Sequence, residues 1–223
     1  MSSQSIADII RVASIFSVAF PLILYLFRVK NLSRSGHVMG AIIVVSAISD
    51  TIAYFVATAG MSTAIIFNVY FIIFFLLLSW FYSEVLQTAS GRRIVQWGLG
   101  IFVLAEIVIT IFIQPFNGFQ TLMWTTGGAI GIIFSISYFI SVFSATRPMN
   151  DFGLLWINSG ILFYFSFNLF LFIMSSYVFT RFEPEVGIIF WSFHNVNNII
   201  KNILIGLGIS TSRADELGAK DAI

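Results

Sequence analysis

Long runs of apolar residues, interrupted by short polar segments, fill almost the whole chain. A helix needs about 20 mostly apolar residues to cross a lipid bilayer, and seven runs reach that length. Numbered as spans one to seven, they cover residues 9–28, 38–59, 64–86, 94–114, 121–145, 153–177 and 187–210. The pattern predicts an all-α integral membrane protein. Residues 1–212 would form a single seven-helix transmembrane domain, and residues 213–223 a short cytoplasmic tail.

The basic residues predict how this bundle lies in the membrane. With the N-terminus outside, only Arg11 and Arg181 fall in outer segments. The inner segments then hold eight basic residues: Arg28, Lys30, Arg34, Arg92, Arg93, Arg147, Arg213 and Lys220. Cytoplasmic loops of membrane proteins carry the excess of Lys and Arg. We therefore expect an outside N-terminus, a cytoplasmic C-terminus and a multi-pass position in a bacterial inner membrane.

Composition supports the membrane assignment and narrows the chemistry. Only 9% of the residues are charged, whereas soluble domains carry about 25%. A net charge of +1 gives no reason to expect a nucleic-acid partner, so the lipid bilayer is the predicted environment. The absence of cysteine and the presence of only two histidines predict no metal site. No nucleophile–base constellation or glycine-rich phosphate loop is present, so we expect no enzyme activity.

Span seven carries the most informative polar pattern. His194, Asn197, Asn198 and Lys201 follow one another at i, i+3, i+4 and i+7, which places all four on one face of a helix. A charged side chain at the centre of a bilayer costs roughly 2.5–3.5 kcal/mol even on lenient insertion scales. We therefore expect this polar stripe to face the bundle interior and to mark a ligand or proton site.

Sequence position converts to depth, because a helix rises about 1.5 Å per residue. His194 then lies about 10 Å, and Asp50 and Glu106 about 11–12 Å, from the outer edge of the bilayer core. Lys201 lies about 21 Å from that edge, close to the depth of Asn158 on span six. The depths predict an upper layer of Asp50, Glu106 and His194, and a hydrogen bond between Lys201 and Asn158 below it. Each group could instead be a neutral or paired packing element.

Two further features concern helix packing. Gly127 and Gly131 have the small-xxx-small spacing that favours close helix approach, either within the bundle or between two copies in a homo-oligomer. Pro21 lies inside span one and predicts a kink there.

Spans six and seven carry a recognisable signature. Span six reads Leu155-Trp-Ile-Asn-Ser-Gly-Ile-Leu-Phe-Tyr-Phe-Ser, and span seven reads Phe193-His-Asn-Val-Asn-Asn-Ile-Ile-Lys-Asn-Ile-Leu. Both resemble an uncharacterised family of seven-helix membrane proteins common in Bacteroidota. The resemblance covers about the last third of the chain and implies the fold but no established activity.

A second, weaker resemblance is to the microbial rhodopsins. They share seven helices, an outside N-terminus and a lysine in the middle of helix seven, which corresponds to Lys201 and would bind retinal as a Schiff base. Three features depart from that family. Asn197 stands where rhodopsins usually have Asp, span three lacks an acidic residue in its middle, and span six lacks the Trp-x-x-Tyr-Pro sequence.

Three functions remain open on the sequence. The first is a sensory or signalling protein without a cofactor, which binds a small ligand and passes the change to a signalling kinase or another membrane protein. The second is a proton-coupled transporter of a small solute that uses Asp50, His194 and Lys201. The third is a photoreceptor or pump with retinal on Lys201.

Overall fold

The computed structural model describes residues 3–144 and 152–212, and within these ranges the chain is helical without any strand. The helices are α1 (Ser3–Ser17), α2 (Ala19–Arg28), α3 (Arg34–Thr58), α4 (Ala64–Val85), α5 (Ala89–Val108), α6 (Thr121–Phe143), α7 (Phe152–Arg181) and α8 (Pro184–Thr211). A 3-10 turn follows α2, and a π-helical segment, Ile109–Ile113, extends α5. The predicted all-α fold is confirmed. Arg147, Arg213, Lys220 and the tail 213–223 lie outside the described residues.

Helices α1 and α2 are the two halves of one long apolar helix, Gln4–Asn31, which contains span one. The break between them is a turn at Val18, three residues before Pro21. Proline has no N–H with which to continue the helical hydrogen-bonding pattern, and its ring clashes with the preceding turn. The interruption predicted at Pro21 is therefore present, one turn ahead of the proline itself.

Within the described residues, six helices are long and apolar enough to cross a membrane. They are the combined helix Gln4–Asn31, α3, α4, α5 with its π-helical extension, α6 and α7. Helix α8, which contains span seven, has 28 residues but does not reach the same hydropathy, because its polar stripe interrupts the apolar sequence. The structure thus provides the helices of a multi-pass membrane protein.

The centre of the bundle is packed with phenylalanine from α4, α5, α6 and α7. Phe75 stacks on Phe102 with ring centroids 3.9 Å apart, and Phe71 stacks on Trp124 at 4.2 Å. Such aromatic pairs add about 0.5–1.5 kcal/mol beyond the burial of their area. Phenylalanine also covers the outside, where Phe27 and Phe112 are exposed. This apolar exterior is suited to lipid.

Gly127 and Gly131 on α6 face the inside of the bundle. A Cβ atom at Gly127 would lie 2.6 Å from the ring of Phe71, and one at Gly131 would lie 2.7 Å from the ring of Phe165. Of the two alternatives left open by the sequence, the structure shows close approach within one chain. Their part in a homo-oligomer stays a prediction.

Candidate functional site

The polar stripe of α8 faces the interior of the bundle. Helix α8 lies between α7 on one side and α1 and α2 on the other. Asn197 and Lys201 are buried, while Val196 and Ile203 on the opposite face are exposed. The predicted inward orientation of the stripe is confirmed.

The start of α8 is defined by its local sequence. Pro184 occupies the first turn, where its fixed φ suits a helix and its missing N–H would have had no partner. Glu185 places a negative charge in the same turn, next to the positive end of the helix dipole. Both residues favour the start of α8 at this point of the chain.

Asn168 on α7 is the centre of the hydrogen-bond network around His194. Its Oδ1 lies 3.0 Å from Nδ1 of His194, and Nδ2 of Asn197 donates to the same oxygen at 3.4 Å. Nδ2 of Asn168 in turn donates to the carbonyl of Tyr164 at 2.8 Å. Because a carbonyl oxygen only accepts hydrogen bonds, Nδ1 of His194 carries a proton in this arrangement. The position of the imidazole is thereby tied to the backbone of α7.

Asn198, also predicted as a site residue, connects α8 to α1 instead. Its Nδ2 donates to Oγ of Ser14 at 3.0 Å, and one turn later Nδ2 of Asn202 donates to Oγ of Ser17 at 2.7 Å. Asn202 was not singled out from the sequence, although its i+4 spacing from Asn198 would have indicated it. These two side-chain amides join α8 to α1 and have their hydrogen-bond donors engaged in that contact.

Lys201 lies against an aromatic ring. Its Nζ is 4.6 Å from the centroid of Tyr164, which is within the range of a cation–π interaction. The predicted hydrogen bond with Asn158 is wrong. Asn158 accepts from the hydroxyl of Tyr82 at 2.7 Å and donates to the carbonyl of Ser135 at 3.1 Å. Among the described residues, no carboxylate lies within 4 Å of Lys201.

Asp50 on α3 is a partly buried acidic residue one turn beyond Ser46. It forms no ion pair with Lys201 at contact distance. The hydroxyl of Tyr70 lies 3.0 Å from that of Ser46. Asp50 therefore lies on the same side of α3 as Ser46, which contacts Tyr70.

Glu106 belongs to a different polar cluster. Its Oε1 accepts a hydrogen bond from Thr110 at 2.8 Å, and Oγ1 of Thr110 accepts one from Gln120 at 2.9 Å. The π-helical segment at the end of α5 carries Thr110, and Gln120 precedes α6. The predicted layer of Asp50, Glu106 and His194 is therefore not formed.

A large cavity opens at the end of the bundle where α1 and α8 begin. Its volume is about 850 Å³, within the range of roughly 300–1,000 Å³ that small-molecule sites occupy. We call it the vestibule. Its lining residues are Gln4, Ala7, Asp8, Arg11, Ser62, Thr63, Ala64, Phe67, Asn117, Gly118, Phe119, Phe179, Phe182, Glu183, Pro184, Gly187, Ile188, Trp191, Ser192 and Asn195.

Trp191 connects the vestibule to the polar network. Its ring stacks on the imidazole of His194, with centroids 4.6 Å apart and planes 28° apart. Phe119 and Phe179 approach the same indole at 5.4 and 5.9 Å. Trp191 precedes His194 by three residues, so the i, i+3 spacing of the stripe extends to it. No sequence pattern marks the vestibule itself.

The surroundings of Lys201 do not fit retinal. Lys201 lines a cavity together with Tyr164, Phe74 and other largely apolar side chains. The volume of this cavity is about 10 Å³. That space holds about one water molecule, whereas a ligand of the size of a drug needs roughly 300 Å³ or more. A retinal bound to Lys201 would have to displace the packed side chains around it.

Comparisons of the chain with protein-family models, with curated proteins and with solved structures give no match. The two resemblances described above therefore remain predictions, and a proposed function depends on the geometry of the site.

Proposed function

We propose that this protein is a membrane sensor that binds a small ligand in the vestibule and signals through α8. The observation that carries the proposal is the stack of Trp191 on His194. A ligand in the vestibule contacts one of these rings, and the other is bonded to Asn168 in the interior. Ligand binding can thus bias the position of α8 against α7.

The proposal includes seven membrane-spanning helices, of which α8 is the seventh. Its 28 residues give a length of about 42 Å at 1.5 Å per residue, more than the ~30 Å bilayer core. Its polar side chains bond to α7 and α1, so its lower hydropathy need not expose polar groups to lipid. This arrangement, with the N-terminus outside, is what the basic residues predict for a bacterial inner membrane.

The opposite end of α8 provides an output. Arg28 on α2 donates hydrogen bonds to the carbonyls of Ser210 and Ser212. A movement of α8 that starts at the vestibule would change these contacts at the predicted cytoplasmic side. A signalling kinase or another membrane protein that binds this side would detect the change.

A cysteine introduced into the vestibule tests the sensor proposal without a known ligand, because the chain contains no native cysteine. The variant Ser192→Cys is labelled with a bulky maleimide, and hydrogen exchange is measured along α8. We expect changed exchange near Ser210, about 27 Å away along the helix. Met61→Cys, at the same end but not lining the vestibule, is the control. Equal exchange in labelled and unlabelled Ser192→Cys would contradict the proposal.

A proton-coupled transporter is the second candidate, and the presence of the ionisable residues Asp50, His194 and Lys201 within the predicted spans favours it. The interior below the vestibule is closed, however, since the cavity beside Lys201 measures only about 10 Å³. Proteoliposomes distinguish the two functions. Solute-dependent proton uptake that is lost in Asp50→Asn would select the transporter, and its absence would favour the sensor.

Reporter fusions test the predicted topology. Fusions after Arg34, Arg93, Arg147 and Arg213 should all give a cytoplasmic signal, because the excess of basic residues lies at this end. A fusion after Met61 should give a periplasmic signal and serves as the opposite control. Periplasmic signals at two of the four positions would show that the orientation or the number of spans is wrong.

Expression with all-trans retinal tests the rhodopsin-like alternative. We expect colourless protein, because the cavity beside Lys201 is too small and Asn197 replaces the usual acidic residue. Lys201→Ala should then alter stability or signalling without any change in visible absorbance. A retinal-dependent visible band that disappears in Lys201→Ala would instead make this protein a photoreceptor or pump.

A further inference from the structure

We propose that the ligand of the vestibule is a small organic cation with an alkylated ammonium group and a polar substituent. This inference rests on the proposed function of the vestibule as a ligand site. The inference adds the chemical class of the ligand to that function. The aromatic rings, the charges and the polar groups that line the vestibule indicate this class.

Aromatic side chains dominate the part of the vestibule next to the polar network. Phe67, Phe119, Phe179 and Trp191 all contribute to the lining. Phe119 stands at 88° to Trp191, and Phe179 is tilted by 51° to it. These rings therefore present both edges and faces to the vestibule instead of one flat wall. An aromatic face attracts a cation, most strongly when the ring is tryptophan.

The charged residues of the lining add to this preference. Asp8, Arg11 and Glu183 are the ionisable residues of the vestibule. Arg11 is already paired with Asp8 at 3.2 Å. Glu183, at the start of α8, forms no ion pair with any described residue. With Asp8 and Glu183 negative and Arg11 positive, the ionisable residues of the lining carry a net charge of −1, which favours a cation over an anion.

The remaining lining groups indicate the rest of the ligand. Gln4, Ser192 and Asn195 provide hydrogen-bonding side chains. A volume of about 850 Å³ exceeds what a trimethylammonium group alone would fill. A hydroxyl or a short polar tail next to the cationic head matches this combination. Choline has both features and is therefore a suitable probe.

The test compares choline with 3,3-dimethylbutan-1-ol, the uncharged alcohol of the same shape, by calorimetric titration of the purified protein. We expect choline to bind at least about tenfold more tightly, because the alcohol lacks the charge that the rings and Glu183 attract. Glu183→Gln should weaken the binding of choline severalfold and leave the binding of the alcohol unchanged. Trp191→Leu should cause the largest loss of choline affinity. Trp97→Leu, an exposed tryptophan outside the vestibule, is the matched control, and melting temperatures confirm that each variant is folded.

Three results overturn the inference, and the hydrogen-exchange measurement on labelled Ser192→Cys shows whether the proposed function fails with it. Equal binding of choline and the alcohol would show a site that does not select charge. Binding of neither probe, with the label on Ser192→Cys still changing exchange near Ser210, would refute the ligand class and keep the sensor. Binding of neither probe without that change would refute both.

Discussion

The variant Gly208→Ala is expected to destabilise the protein by about 1–3 kcal/mol, the usual cost of overpacking. A Cβ atom at Gly208 would lie 2.7 Å from the carbonyl oxygen of Gly153 and 3.0 Å from the backbone nitrogen of Ile157, both on α7. Backbone atoms cannot rotate away as a side chain can. The methyl group must therefore push α8 from α7 near the C-terminal end of α8, where Gly208 packs on Gly153 and Ile157.

Gly100→Ala is the matched control for this prediction. Gly100 also lies inside a helix, but a Cβ atom there has no neighbour within 4 Å. Alanine is about 0.8–1 kcal/mol more favourable than glycine in a helix, so we expect an unchanged or slightly higher melting temperature in detergent. A melting temperature for Gly208→Ala equal to that of Gly100→Ala would show that α7 and α8 are not in backbone contact.

The second large effect is expected for Asp50→Asn. This variant removes the negative charge of a partly buried carboxylate on α3, while the buried Lys201 has no carboxylate within 4 Å among the described residues. Breaking a buried pair in contact costs roughly 3–5 kcal/mol. The separation here exceeds 4 Å, so we expect a smaller but clear loss of stability. Lys201→Met should cost much less than Asp50→Asn, since a hydrophobic residue of similar volume replaces the buried charge.

The double variant Asp50→Asn with Lys201→Met completes this thermodynamic cycle. We expect it to regain most of the stability lost in Asp50→Asn, because the unopposed charge is gone. Glu84→Gln is a useful comparison, since Glu84 pairs at 3.3 Å with an exposed Arg34 and should contribute at most about 1 kcal/mol. Additive effects of the two interior changes would mean that Asp50 and Lys201 do not interact.

The sequence predicted the helices and the direction of the polar stripe, because both follow from local periodicity. The helix ends were predicted less well. Ser33 accepts a hydrogen bond from the amide of Gly36, and Thr88 accepts one from the amide of Gly91. These polar caps begin α3 and α5 several residues before the apolar runs that marked the spans. A prediction from apolar residues alone therefore places the start of each of these helices several residues too late.

The partners across helices could not be predicted from depth. Depth fixes the height of a residue along the membrane normal but not its direction around the helix axis. Asn158 was placed at the height of Lys201, yet it points to Tyr82 and Ser135. Glu106 was placed at the height of His194, yet it bonds to Thr110. The vestibule was missed for another reason, since it is built partly from irregular connections that have no periodic pattern.

Nitrogen NMR of the histidine rings is the measurement that tests most directly whether the vestibule is coupled to the interior. The chain has two histidines, so imidazole labelling gives two sets of signals, which His37→Gln assigns. The variant Ser192→Cys is modified with a methanethiosulfonate that carries a trimethylammonium group. We predict that the ring signals of His194 shift, while those of His37, exposed near Tyr25 at the far end of the bundle, stay unchanged. Unchanged signals of His194, or equal shifts of both histidines, would contradict coupling through Trp191.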